Sequence, residues 1–367
     1  MKYLFILGNN PELSQEEIKA VLPLIKIIKS GKNFLIVEQE KIDCQQIINR
    51  LGGTIKIGTF LSNNFNINSI LKIANQKTNN KRFNFGFSFY QQKPTNVGMV
   101  VKRKLAEAGI NSRLVTSRDS VLSSVIIIKE KCHDFLIGPN FFGLTCAVQN
   151  FKDYTKRDFG RPAFDALSGM LPPKVAKMMI NLSQTKKNQI ILDPFCGSGT
   201  ILTEALALGY QNLLGTDLSA KAVADSLKNL QWLSQELKIN KINWKVSQLN
   251  VEKLSEKFKE NSIDAIISEP YLGKPIKGNE TEKTIKQIIK ELEKLYLTSF
   301  IQFKKILKPQ GKIIIIIPEW HLNNKIYQLN FDKQLAKLNL QRLDNNQLIY
   351  KREKQKVWRK ITIWKKP

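Results

Sequence analysis

Residues 190–200 read IILDPFCGSGT. An apolar run that suits a buried strand ends at Asp193, and Gly197 and Gly199 follow before a helix-forming stretch. Glycine is needed there because a side chain at either position would block a ligand lying across the strand end. The stretch lacks the GK[ST] ending of a phosphate loop and departs from the GxGxxG of dinucleotide enzymes. From about residue 163 onward, the same rhythm of apolar strand and amphipathic helix repeats. Helices are expected at 172–183, 200–208, 219–236 and 282–307, separated by the strands QIILDP, NLLGTDL, INWKVSQL, SIDAIISEP and KIIIIIP. Such alternation implies a parallel sheet covered on both faces. The tail NQLIYKREKQKVWRKITIW carries two alternating segments, which suit a closing antiparallel hairpin.

The half before it has a different pattern. Residues 1–60 read as strand YLFILG, helix SQEEIKAVLPLI, strand NFLIVEQ, helix DCQQIINRLG and strand TIKIGTFL. Ser14 and Glu17 have the spacing of a capping box at the start of the first helix. Residues 61–150 continue with helix 68–77, strand RFNFGFSFY, helix 96–109, strand SRLVTS, and then SVIIIKE and FLIGPNFFGLTCAVQ as strands. A polar stretch, NFKDYTKRDFGRP, is expected as the linker at 151–162. The domains expected are thus 1–60, 61–150 and 163–367, and 367 residues suffice for a core in each.

The formal net charge of +27 points to a polyanionic partner, because Lys and Arg gain affinity by displacing counterions from phosphates. Only 10 of the 58 basic residues are arginine, so a general Lys-, Asn- and Ile-rich bias contributes to this excess. Four cysteines without a CxxC pair and two distant histidines argue against a disulfide framework or a zinc site, and suit a reducing cytosol. The apolar runs are too short to span a bilayer, and MKYLFILGNN reads as a first strand rather than a signal peptide.

Two acidic residues shape the cofactor expectation. Asp193 suits an amino or cationic group near the glycine turn, and Asp217 ends the next strand at the spacing where a carboxylate grips ribose hydroxyls. An ammonium, a ribose and no phosphate describe S-adenosylmethionine. A third strand ends in Ser268, Glu269, Pro270 and Tyr271, a polar-x-Pro-aromatic corner of the kind that holds a planar NH2 group.

DPFCGSGTILTEALALG, RPAFDALSGMLPPKVAKMMINLS and SEPYLG resemble the THUMP-domain tRNA guanine-N2 methyltransferases, in particular those acting on guanosine 10. YLFILGNNPELSQEEI and LGGTIKIG resemble that family's N-terminal ferredoxin-like domain, and FGFSFY with VKRKLAEAGINSRLVTSRDSVLSS resembles its THUMP domain. The resemblance covers essentially the whole chain. The fold it implies is α/β, with a Rossmann-like class I methyltransferase domain preceded by a ferredoxin-like and a THUMP domain.

The resemblance also implies site residues. Asp193, Gly197 and Gly199 fall around the methionine part of S-adenosylmethionine and Asp217 falls at its ribose, with Pro194, Cys196, Thr200 and Leu218 as further cofactor-binding candidates. Asn250 stands where the family usually has Asp near the adenine amine, and Pro172 and Pro173 open the helix flanking the methionine end. At the corner the family has an acidic or amide residue, Pro, Pro and an aromatic. Here the acceptor for the target amine is Ser268 by strict alignment, or Glu269 if the turn is one residue shorter, and Glu269 is favoured as the stronger acceptor. Pro270 fixes a carbonyl direction and Tyr271 stacks on the extruded base. Lys102, Arg103, Lys104, Arg113 and Arg118 form a candidate RNA-binding cluster, while Arg157 and Arg161 could touch RNA or cofactor. The implied partner is tRNA, with a small activator subunit as some relatives need, no metal and no membrane, in the cytoplasm. An amino-methyltransferase of rRNA or DNA and a non-catalytic RNA-binding protein are the alternatives.

Overall fold

The computed structural model spans the chain, and residues 1–77, 82–164, 170–239, 242–276, 278, 280–322, 324–344, 348–352 and 355–367 are described here. Through residue 159 the elements are β1 (Lys2–Leu7), α1 (Pro11–Val21), β2 (Lys26–Ser30), β3 (Phe34–Glu38), α2 (Cys44–Arg50), β4 (Thr54–Ser62), α3 (Ile67–Lys77), β5 (Phe83–Phe89), α4 (Val97–Glu107), β6 (Ser112–Leu114), α5 (Ser124–Lys129), β7 (His133–Gly138), β8 (Phe141–Val148) and α6 (Phe151–Phe159). The chain divides into two units, Met1–Gln15 with Leu22–Asp153 and Glu16–Val21 with Tyr154–Pro367.

In the first unit all eight strands share one sheet, ordered β2-β3-β1-β4-β8-β7-β5-β6. Strands from 1–60 and 61–150 meet through the antiparallel β4–β8 pair. Phe83, Phe85, Phe135 and Phe142 fill one core cluster of this unit. Lys56 is buried in charge-compensated form: its Nζ donates to Asp134 at 2.7 Å and to Ser88 at 3.0 Å. Burial pulls the Lys56 ammonium below its ordinary range, against the pull of Asp134.

Several expectations change here. Helix α1 begins at Pro11, where a missing N–H costs nothing. Ser14 therefore lies inside the helix and does not cap it; its Oγ donates to the carbonyls of Asn10 and Gly53. The run SVIIIKE is helix α5, not a strand. Ser123 caps it by accepting from the Ile126 N–H at 3.3 Å, and this local bond outweighs a β-branched run too short to show periodicity. The polar stretch expected as a linker is helical over α6, with Asp153 in its first turn and Lys156 and Arg157 in its last, as the helix dipole favours. Cys44 and Cys146 form a disulfide across 102 residues, with Cα atoms 6.1 Å apart, against the expectation of unpaired cysteines. Sequence spacing carries no trace of it, because α2 and β8 meet only in the fold.

The second unit continues with α7 (Pro173–Ser183), β9 (Ile190–Asp193), α8 (Thr200–Ala207), β10 (Asn212–Asp217), α9 (Ala220–Glu236), β11 (Asn243–Gln248), α10 (Leu254–Lys257), β12 (Ile263–Ser268), α11 (Glu282–Ile306), β13 (Leu307–Leu322), β14 (Lys325–Gln328), α12 (Asp332–Lys337), β15 (Gln341–Arg342), β16 (Leu348–Tyr350) and β17 (Val357–Lys365). Its sheet is ordered β11-β10-β9-β12-β13-β17-β15, with β14 on β13 and β16 on β17. The strands β11, β10, β9, β12 and β13 pair parallel, whereas β17 pairs antiparallel to β13. The tail hairpin is the β16–β17 pair, with Leu348 opposite Ile361.

Chain order runs outward from β9 in one direction and from β12 in the other. This switch point opens a crevice at the carboxyl ends of the strands, the place where open parallel sheets bind ligands. Ile266, Ile313, Ile315, Phe300 and Trp320 pack the core below it.

Candidate active site

Three strand ends build the site. β9 ends in Asp193, whose Oδ1 accepts from Ser268 Oγ at 2.6 Å and from the Phe195 N–H at 3.2 Å. Burial pushes the Asp193 carboxyl up to about 7, although the Ser268 and Phe195 bonds oppose the shift. β10 ends in Asp217, which accepts from the Gly197 N–H through Oδ2 and from the Ser219 N–H through Oδ1, both at 2.9 Å. Asp217 thereby fixes the glycine turn as well as facing the crevice.

The two glycines serve different needs. Gly199 has φ +82° and caps α8; a Cβ there would lie 2.5 Å from Ser226 Oγ. Gly197 has φ +51°, and a Cβ there would meet nothing within 4 Å. Its missing side chain leaves open space, the cradle that a ligand crossing the strand end requires.

β12 ends in the altered corner. Ser268 is fully buried and engaged with Asp193, while Glu269 turns to Arg359 on β17, with Glu269 Oε1 at 2.5 Å from Nε. Burial raises the Glu269 carboxyl and Arg359 lowers it, with burial the larger effect. Tyr271 is 54% exposed, so its ring is free to receive a partner. Tyr296, buried on α11, donates to the Ile316 carbonyl at 3.2 Å and to the Tyr271 carbonyl at 3.4 Å, which steadies the corner.

A single cavity of about 550 Å3 joins these parts. Asp193, Pro194, Cys196, Gly197, Thr200, Asp217, Leu218 and Asn250 line it, together with Glu269, Pro270 and Tyr271. Of the other expected site residues, Ser268 lies behind the wall, Gly199 caps α8, and Pro173 opens α7. Met170 and Leu171, just before Pro172, line the cavity instead. Asn250 Oδ1 already accepts from the Glu252 N–H at 3.0 Å, so it shapes the turn after β11 as well. Cys196 is buried, and its thiol is pushed well above its ordinary range by burial, which makes it a wall atom rather than a nucleophile.

Arg359 lines the cavity and was not legible in the sequence. Its signal is faint: one of two arginines in a Lys-rich tail.

In the first unit, Lys102, Arg103 and Lys104 are exposed on α4, Arg113 is exposed on β6, and Arg118 in the loop after it. Lys104 and Arg103 reach Glu107, and Arg113 reaches Glu130 at 2.7 Å. Among the described residues no cluster of His, Cys, Asp and Glu is arranged to hold a metal ion. No described helix is long and apolar enough to cross a membrane.

Residues 161–348, just over half of the chain, match the family model for the RMKL-like methyltransferase domain. The chain belongs to this family. A DNA methylase model also matches, over residues 54–228. A tRNA (guanine(10)-N2)-dimethyltransferase of Methanocaldococcus jannaschii is 33% identical over 53% of this chain and 52% of its own length. One of Pyrococcus abyssi is 26% identical over 74% of this chain and 78% of its own. The chain thus spans about half the length of the first relative and about three quarters of the second. The crystal structure of TrmN from Thermus thermophilus aligns over 100% of both chains with a TM-score of 0.54 at 15% identity, a likeness of fold. The Rossmann-like methyltransferase domain expected from the sequence is present, and the curated relatives carry the names of the family that the sequence resembles.

Proposed function

We propose that this protein transfers a methyl group from S-adenosylmethionine to the N2 amine of a guanosine in tRNA, at position 10. The single observation that carries the reading is the shared cavity: the glycine turn after Asp193 and the Pro270–Tyr271 corner open into one space. When bound, the cofactor supplies an electrophilic methyl group; everything else is the work of side chains. Asp193 and the Gly197–Thr200 turn hold the amino-acid end, Asp217 and Leu218 the ribose, and Asn250 the adenine edge.

An exocyclic amine is a poor nucleophile while its lone pair is conjugated with the ring. Acceptors around its hydrogens favour the geometry from which the lone pair can attack in line. Glu269 is assigned this part, because Ser268 already donates to Asp193. Arg359 occupies Glu269 Oε1, and Oε2 has no hydrogen-bond partner among the described residues. Pro270 aims its carbonyl and Tyr271 stacks on the extruded guanine.

The N-terminal part, with a ferredoxin-like domain at 1–60 and a THUMP domain at 61–150, then grips the tRNA. Lys102, Arg103, Lys104, Arg113 and Arg118 would contact phosphates, and the linker at 151–162 leads to the catalytic domain at 163–367. A tRNA substrate places the enzyme in the cytoplasm, and a small activator subunit is a further partner that some relatives use. Incubation with labelled S-adenosylmethionine and total tRNA tests the reading. Label in N2-methylguanosine at position 10 is expected; label only in rRNA or DNA, or RNA binding with no label at all, overturns it.

A further inference from the structure

We infer that Glu269 and Arg359 together read the identity of the target base: Arg359 donates to O6 of the extruded guanine, Glu269 Oε1 accepts from its N1–H, and Oε2 accepts from the amine that is methylated. The inference rests on the methyl-transfer reading above and adds the pair that tells guanine from the other bases.

The two side chains come from different strands. Glu269 follows β12 directly, and Arg359 stands on β17, opposite Pro318 of β13. Both line the cavity beside Pro270 and Tyr271, and both are largely buried. Arg359 Nε donates to Glu269 Oε1, so the guanidinium and the carboxylate lie next to one another. A carboxylate oxygen accepts more than one hydrogen bond, which leaves Oε1 as well as Oε2 able to accept from a ligand. The guanidinium only donates, and an ionised carboxylate only accepts. From Arg359 through Oε1 to Oε2 the order is therefore donor, acceptor, acceptor, and neither partner can reverse its part.

The Watson–Crick edge of guanine has the complementary order: O6 accepts, N1–H donates and the 2-amine donates. Adenine offers a donor and then an acceptor, cytosine a donor and two acceptors, and uracil an acceptor, a donor and an acceptor. Each of those sets a donor against the guanidinium or an acceptor against the carboxylate. Guanine alone among the four matches at all three places. An extruded base is read along this edge, whereas a stacking ring accepts any base because every base has a π-face. Tyr271 can therefore hold the base but cannot choose it; the choice falls to the charged pair beside it.

The pair is a poor device for stability alone. Burying two charges costs much of what their attraction returns, and apolar residues often serve as well. At the wall of a cavity, next to a half-exposed aromatic ring, the same two charges present a fixed pattern to a ligand. Hydrogen bonds to charged groups are also the stronger ones, which makes a mismatch at either group costly.

Two tRNA transcripts test the pair, one with guanosine and one with 2,6-diaminopurine at position 10. Diaminopurine keeps the 2-amine that accepts the methyl group, but its 6-amine donates where O6 accepts, and its N1 accepts where guanine donates. Wild type is expected to favour guanosine by about a hundredfold or more in kcat/KM. Arg359→Met is expected to narrow that ratio by about tenfold or more, because the donor facing position 6 is gone. Glu269→Gln is expected to narrow it as well, since an amide can donate to N1 while its oxygen still accepts from the 2-amine. The ratio between substrates is read rather than the rate, so a general loss of activity in a variant cancels. Should Arg359→Met fail to fold, Glu269→Gln carries the test alone. Wild type that labels both transcripts alike, or a folded variant of either residue that keeps the wild-type ratio, overturns the reader and leaves the methyl-transfer reading standing. Wild type that labels guanosine in no RNA overturns that reading, and this pair's role with it.

Discussion

Glu269 and Arg359 lie ninety positions apart in the chain, yet Glu269 Oε1 is 2.5 Å from Arg359 Nε at the wall of one cavity. Glu269 follows the last residue of β12, and Arg359 sits on β17, two strands away across β13. A carboxylate in so buried a place needs a cation to remain ionised, and the closing strand delivers one.

Replacing Glu269 by Ala is expected to lower methyl transfer by about a hundredfold or more, the range of a lost proton acceptor. Cofactor affinity should be little changed, because Glu269 belongs to the corner after β12 and not to the glycine turn after β9. Glu269→Gln keeps an acceptor oxygen and should lose less. Turnover near wild type in the alanine variant removes Glu269 from the mechanism.

Arg359→Met tests the partner. Arg359 is what holds the Glu269 carboxyl down against burial, so its loss raises that group further. A carboxylate that must be ionised to accept a hydrogen bond is then available only at higher pH. The acid limb of the kcat/KM profile should move to higher pH, with activity partly recovered as pH rises. Breaking a buried pair should also cost about 3–5 kcal/mol of stability, read by denaturant unfolding. An unmoved acid limb in a folded variant contradicts the role.

Asp193 gives a second, separate pH dependence. Its carboxyl is raised from 3.8 to about 7 in the free protein, so the stability it contributes is present below about pH 4 and lost as pH rises through about 7. A cationic ligand favours the ionised form and lowers that value again, so binding below pH 7 releases a proton. Affinity for S-adenosylmethionine should therefore be flat above about pH 8 and fall by up to about tenfold per unit below 7. Calorimetry in two buffers of different ionisation enthalpy would detect the proton. In Asp193→Asn the pH dependence should vanish along with much of the affinity.

The two glycines of the turn should separate folding from binding. Gly199→Ala forces a Cβ to 2.5 Å from Ser226 Oγ at φ +82°, so thermal stability should fall clearly. Gly197→Ala meets no atom within 4 Å and costs only the left-handed backbone, about 1 kcal/mol. It should melt close to wild type but bind S-adenosylhomocysteine poorly, because the methyl group enters the ligand's space. Equal binding by Gly197→Ala and wild type would mean that the cradle is not used.

The sequence by itself determined most elements of the second unit, because a strand buried on both faces is apolar and a helix covering it must be amphipathic; the short elements α10, β14, α12 and β15 carry no such pattern. It also exposed the glycine turn and the Pro270–Tyr271 corner, whose backbone demands few residues can meet. It could not show that SVIIIKE is helical, since six residues are too few for periodicity and the deciding bond is a cap from Ser123. The Cys44–Cys146 link, the Ser268–Asp193 bond and the Glu269–Arg359 pair were equally hidden. Each joins residues more than seventy positions apart, and only strand order brings them within bonding distance. Local chemistry is written in neighbours along the chain, whereas the charge state of the site is set by neighbours in space.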